Sequence, residues 1–94
     1  MKQKPIQISV VAIFNKDKPP YPHMFKLNER KYYVDYIAET FEATSEEGEY
    51  YVYRCKSNFG EESHSTIEFI YEIRYYIHDC KWILQWIGKD EMTK

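Results

Sequence analysis

"IEFIYEIRYYI", residues 67–77, places an apolar or aromatic side chain at every odd position: Ile67, Phe69, Tyr71, Ile73, Tyr75 and Ile77. Successive side chains of a strand point to opposite faces, so this alternation specifies a strand with one packed face. "HDCK" (78–81) follows as a turn, and "WILQWI" (82–87) returns as a second strand with Trp82, Leu84 and Trp86 assigned to one face. The pair predicts a hairpin whose arms run over about 66–77 and 81–88.

The same period extends upstream. In "EYYVYRCK" (49–56), Tyr51, Tyr53 and Cys55 share one face, and Tyr50, Val52 and Arg54 the other. Ile6, Ile8, Val10, Ala12 and Phe14 also alternate, while Val11 and Ile13 make the far half of that strand apolar on both sides, as for an end buried on both faces. "NKDKPPYPH" (15–23) holds three of the four prolines, which excludes it from the interior of a helix or central strand. "TSEEGE" (44–49) and "SNFGEESHS" (57–65) are the other turn-rich stretches. Met24–Leu27 and Lys31–Ala43 flank "NER", where Asn28 tolerates left-handed geometry, so a tight hairpin is expected. In the second arm the apolar parity changes, which predicts a bulge or bend near Tyr36–Ala38.

No segment combines a helix start, an amphipathic stripe and a stop. The expected architecture is therefore all-β: five or six strands in a meander bent into a small SH3-like barrel or roll, with a five-stranded OB-like barrel as the alternative. The chain reads as one domain, 1–94, with a flexible C-terminal tail over about 89–94. Val34, Val52, Phe69, Ile73, Trp82 and Leu84 are the expected core. A hydrophobic fraction of 44%, with ten Tyr, five Phe and two Trp, gives so small a domain enough apolar surface to fold without staples.

The net charge of −2 is unevenly spread. Residues 1–31 carry seven Lys or Arg against two acids, and residues 32–72 carry ten acids against two basic residues. Such a separation can orient a protein on a partner. The overall acidic balance counts against general affinity for nucleic acid. No apolar run approaches the roughly 18 residues of a membrane span, and "PIQISVVAIFNKDK" (5–18) lacks a cleavage pattern, so a cytoplasmic location and no membrane partner are expected. Cys55 and Cys80 fit that compartment as free, mostly buried thiols, with a disulfide or a zinc site as the alternatives.

Residues that carry chemistry are sparse. His78 and Cys80 lie two apart, roughly 6–7 Å on an extended strand, too far for a direct hydrogen bond unless the turn folds them together. Cys55, Cys80 and His78 lack the paired spacing of structural zinc ligands. Ser63-His64-Ser65 has no accompanying acid or oxyanion motif, and three scattered glycines form no phosphate loop. No enzyme activity, cofactor or metal is expected.

The surfaces are more informative. Adjacent tyrosines such as Tyr32-Tyr33, Tyr50-Tyr51 and Tyr75-Tyr76 must send one ring to each face of a sheet. Charges seldom stay buried unpaired, so the faces bearing Arg54 and Arg74 should be outward, and with them Tyr50 and Tyr76. Tyr50, Arg54, Arg74, Tyr76 and Tyr33 are the candidate binding surface. The expected function is a small non-enzymatic module that docks a protein partner, or itself as a homodimer, through an aromatic sheet face or an edge strand. The alternative is an accessory protein that contacts single-stranded nucleic acid, with rings for bases and cations for phosphates, and a link to DNA repair.

Three stretches carry a resemblance: "ISVVAIFNKDKPPYPHMFKLNERKYYVDYI" (8–37), "YYVYRCKSNFGE" (50–61) and "YEIRYYIHDCKWIL" (71–84). With Tyr32-x-Val34-Asp35, Tyr53-Arg54-Cys55 and the Tyr71-to-Tyr75 and Cys80-Lys81-Trp82 endings, the chain resembles a group of short bacterial proteins of unknown function, chiefly from anaerobic Gram-positive species. "FKLNERKYYV" (25–34) is also similar to part of small proteins found beside translesion DNA polymerases. The resemblance implies a cytoplasmic stand-alone domain, assigns no catalytic residue, and adds to the nucleic-acid reading.

Overall fold

A computed structural model of the chain describes residues 4–59 and 67–91. They form seven strands: β1 (Ile6–Ile13), β2 (Tyr21–Leu27), β3 (Arg30–Tyr33), β4 (Tyr36–Ser45), β5 (Gly48–Phe59), β6 (Ile67–Tyr76) and β7 (Lys81–Glu91). All pairs are antiparallel, in one sheet of order β3-β2-β1-β7-β6-β5-β4, curled into a half-barrel. The all-β expectation holds, with seven strands in place of five or six.

The sheet consists of two meanders, β1–β2–β3 and β4–β5–β6–β7. They are joined where Ile6, Gln7 and Ile8 pair with Leu84, Ile83 and Trp82. Val34 and Asp35 carry the chain from one sheet edge to the other. The Val34 N–H donates to the His23 carbonyl on β2 at 2.9 Å, and the Asp35 N–H donates to the Lys56 carbonyl on β5 at 3.0 Å. One short crossing tied to both edges draws the sheet into its curl.

That crossing accounts for the extra strand. Lys31–Ala43 reads as one strand, yet its residues belong to β3 and β4 on opposite edges. The bulge expected near Tyr36–Ala38 is present: Ile37 faces Cys55 and Glu39 faces Arg54, leaving Ala38 unpaired. Asn28 and Glu29, with φ of 54° and 67°, close the β2–β3 hairpin as a two-residue turn. The β6–β7 hairpin also forms, around Ile77–Cys80, with Cys80 left-handed at φ 54°.

Four details differ from the sequence reading. β2 begins inside the proline-rich stretch, because Pro22 sits beside a bulge and beyond the reach of β3, where no ladder N–H is required. Val11 and Ile13 are exposed, since nothing covers the outer side of β1 among the described residues. β7 runs to Glu91, so residues 89–91 are strand rather than tail, and 92–94 lie outside the described residues. Trp86 does not share a face with Trp82 and Leu84. Glu72 pairs with Trp86 while Ile73 pairs with Leu84, so Gln85 is an extra residue that flips Trp86 outward.

The concave side holds the core. Phe25, Tyr53, Tyr71 and Ile73 are fully buried, with Tyr75, Trp82, Leu84, Phe69, Tyr32 and Ile8 around them. Rings supply much of the packing: Phe25 stacks on Tyr32 at 4.9 Å, and Tyr75 meets Trp82 at 4.7 Å. Buried hydroxyls find partners, as burial requires. Tyr53 donates to the Pro20 carbonyl at 2.5 Å, and Ser57 pairs with the Tyr71 hydroxyl at 2.6 Å and donates to the Tyr33 carbonyl. Of the expected core, Phe69, Ile73, Trp82 and Leu84 are buried here and Val34 packs half-buried against them. Val52 is buried on the opposite, convex side. No helix among the described residues is long and apolar enough to cross a membrane.

Candidate binding surfaces on the convex face and the open edge

Strand pairing sets the convex face as rows of side chains. One row is Ala43–Tyr50–Tyr76–Lys81, the next is Phe41–Val52–Arg74–Ile83, and a third is Glu39–Arg54–Glu72–Trp86. Tyr50, Arg54, Arg74 and Tyr76 therefore share one face, as their alternation requires. Tyr33 does not join them; it stands on β3, at the other edge of the sheet.

Glu72 organises this face. It is only 4% exposed although its strand position is outward, because the arginines and Trp86 cover it. Arg54 Nε donates to Glu72 Oε1 at 3.1 Å, and Arg74 Nε donates to Oε2 at 3.0 Å. A second Arg54 nitrogen donates to Glu39 at 2.8 Å. Two cations are thus matched by two carboxylates. The guanidinium groups also lie over rings: Arg54 over Phe41 at 5.3 Å and Arg74 over Tyr50 at 5.0 Å. Tyr50 and Tyr76 stack on each other at 4.9 Å, so their faces are already partly used. Glu39, Phe41 and Trp86 belong to this surface and were missed in the sequence, the first two because β4 was merged with β3, the third because of the Gln85 bulge.

The β1–β3 half of the convex side is different. Val11 pairs with Met24, which pairs with Tyr33, and Ile13 pairs with Tyr21. Val11 is 57% and Tyr33 55% exposed, with Ile13 and Tyr21 close behind. These side chains make an outward apolar patch beside Lys26 and Lys31, which also pair across β2 and β3.

The third feature is the free edge of β4. Among the described residues the strand, ten residues long, pairs with β5 on one side only and closes the sheet order. Between the start of β4 and the Pro19–Tyr21 segment lies a groove of about 490 Å³, with Ile37, Thr40 and Tyr53 along its inner wall and floor. This is where the half-barrel remains open. A further cleft of about 550 Å³ is lined by Glu46, Glu47, Arg74, Asp79 and Lys81, a mixture of both charges.

The thiols are free and differently placed: Cys55 is buried on β5, and Cys80 is exposed in the β6–β7 loop rather than buried. Burial pushes the Cys55 thiol up to about 12, which keeps it protonated and inert near neutrality. Burial, then hydrogen bonding with Cys80, raises the Tyr75 hydroxyl to about 12. No cluster of three His, Cys, Asp or Glu side chains able to hold a metal occurs among the described residues. Ser63-His64-Ser65 lies outside those residues. Comparison with protein families, with curated proteins and with solved structures finds no match for the chain.

Proposed function

We propose that this chain is a non-enzymatic, cytoplasmic binding module that docks a protein partner or a second copy of itself. The observation that carries this reading is the sheet's unfinished state: a ten-residue edge strand that among the described residues pairs on one side only, and, on the β1–β3 half, an outward patch of Val11, Ile13, Tyr21 and Tyr33. Backbone edges and apolar patches are the surfaces through which β-proteins associate. An SH3-like barrel, the shape read from the sequence, fits a docking scaffold.

The alternative, contact with single-stranded nucleic acid, draws on Tyr50, Tyr76 and the two arginines and on the OB-like shape. It is weakened by the pairing of Arg54 and Arg74 with Glu72 and Glu39, which leaves little positive charge for phosphates. Light scattering from micromolar to millimolar protein, beside a titration of labelled single-stranded DNA and RNA at low salt, separates the readings. The module reading expects no strand binding. Salt-sensitive strand binding lost in the Arg54→Ala/Arg74→Ala double variant would replace it with the alternative.

A further inference from the structure

We propose that the open edge of β4 accepts an extended segment of a partner protein as an added strand, with basic residues opposite Glu39 and Glu42 and an apolar side chain facing the groove between them. The proposal rests on the protein-docking reading and specifies its site and partner chemistry.

The edge supplies the backbone. β4 offers one full row of main-chain N–H and C=O groups to a new strand, and added strands bind through such rows. Natural edges are blunted with proline, lysine, bulges or inward-pointing charges. β4 contains no proline or lysine, past its bulge at Ala38 it runs regularly from Glu39 to Ser45, and its inward charge, Glu42, is one that a basic partner strand would neutralise.

Charge selects the occupant. From Tyr36 to Tyr53 the chain holds Glu39, Glu42, Glu46, Glu47 and Glu49 and no Lys or Arg. Pairing with β5 puts Glu39 on the convex side with Arg54, and Glu42 on the concave side with Tyr51. A strand laid along β4 meets one acid on each face, three positions apart, of which Glu39 already pairs with Arg54 and Glu42 carries the stronger selection. Thr40, between them, points to the concave side, where the groove opens over Tyr53 and beside Pro20. Phe41, exposed, offers apolar contact on the convex side. The complementary segment reads basic–apolar–apolar–basic, a pattern that is the same in either strand direction.

Two other occupants fit poorly. A second copy pairing antiparallel about Phe41 keeps convex side with convex side and would set Glu39 opposite Ala43 and Glu42 opposite Thr40, which gives neither acid a countercharge. A nucleic acid would meet two carboxylates on β4, three more in the turn and at the start of β5, and no Lys or Arg on β4 itself.

The test is a titration of the isotope-labelled chain with the capped peptide Thr-Lys-Val-Val-Lys-Thr and its counterpart Thr-Glu-Val-Val-Glu-Thr, followed by amide shifts. The lysine peptide should move the amides of β4 and of Tyr53, weaken with salt, and bind roughly tenfold more weakly to Glu42→Lys. Glu42 is exposed and outside the core, so that variant should fold normally. Thr40→Trp, which fills the groove, should also block binding. Equal response to both peptides, or shifts confined to Val11, Ile13 and Tyr33, would overturn the β4 assignment and leave the docking reading intact. So would a concentration-dependent dimer with β4 amides newly protected from exchange. A strictly monomeric chain indifferent to both peptides but binding single strands would sink both.

Discussion

Glu72 holds two arginines on the convex face, and its removal leaves Arg54 and Arg74 facing each other without their shared counter-charge. Breaking a buried pair costs about 3–5 kcal/mol, but Arg54 is half-exposed and screened by water, so Glu72→Ala should cost roughly 1–3 kcal/mol. Arg54→Ala should cost less, because Arg74 still neutralises the carboxylate. Urea midpoints for the two variants check the order; the reverse order would show that Glu39, not Glu72, anchors the network. Buried protons set a second expectation. Cys55 loses its proton near 9.0 when ordinary but near 12 when folded, and Tyr53, Tyr71 and Tyr75 rise from 10.0, chiefly through burial. Above pH 9 the unfolded chain therefore holds fewer protons than the folded one, and stability falls as pH rises. The slope is up to about 1.4 kcal/mol per pH unit for each group in its window. Stability should be level between about pH 7 and 8.5 on that linkage and decline above it, with the onset about one unit higher in Cys55→Ala. Urea titrations across this range are the measurement, and a flat profile to pH 11 would contradict the burial of these groups.

Among the elements, bulges decide more than propensities do. Gln85 costs one residue of register, and so separates two tryptophans that the sequence places together: Trp82 is 7% and Trp86 37% exposed. Trp82→Ala should cost about 3–5 kcal/mol through lost burial and a cavity. Trp86→Ala should cost far less, and acrylamide should quench Trp86 well before Trp82. Equal quenching of the two single-tryptophan variants would remove the bulge. The alternation of Phe69 to Ile77 and of Tyr50 to Cys55 was legible because each side chain answers to one face throughout. Trp86 was not, because a bulge leaves no composition signal when the residues on both sides are apolar. The break at Val34-Asp35 was hidden for a related reason: an extended crossing carries the same residue types as a strand, and only its partners on β2 and β5 distinguish it. The outward position of Arg54 and Arg74 followed from parity. Their neutralisation followed only in part: Glu72 shares a strand and a face with Arg74, whereas Glu39 and Glu72 reach Arg54 from the strands on either side of it.

At the scale of the molecule, charge and topology coincide. Lys26 and Lys31 sit toward one sheet edge, and Glu39 and Glu42 along the other, which converts the uneven charge of the sequence into a sheet with unlike borders. The pairing of β1 with β7 has a consequence in time. Every other strand pair joins neighbours in the chain, so hairpins can form locally, whereas Ile6–Ile8 must find Trp82–Leu84 across nearly the whole chain. Contacts that close so long a loop carry the largest entropy cost and form late. Ile8→Ala should therefore speed unfolding and leave refolding almost unchanged, while Ile73→Val, at the β6–β7 contact, should slow refolding. Stopped-flow denaturant series on both variants would show it. The half-barrel then fastens last, and on transient opening releases first, along the three residue pairs that clasp its two meanders.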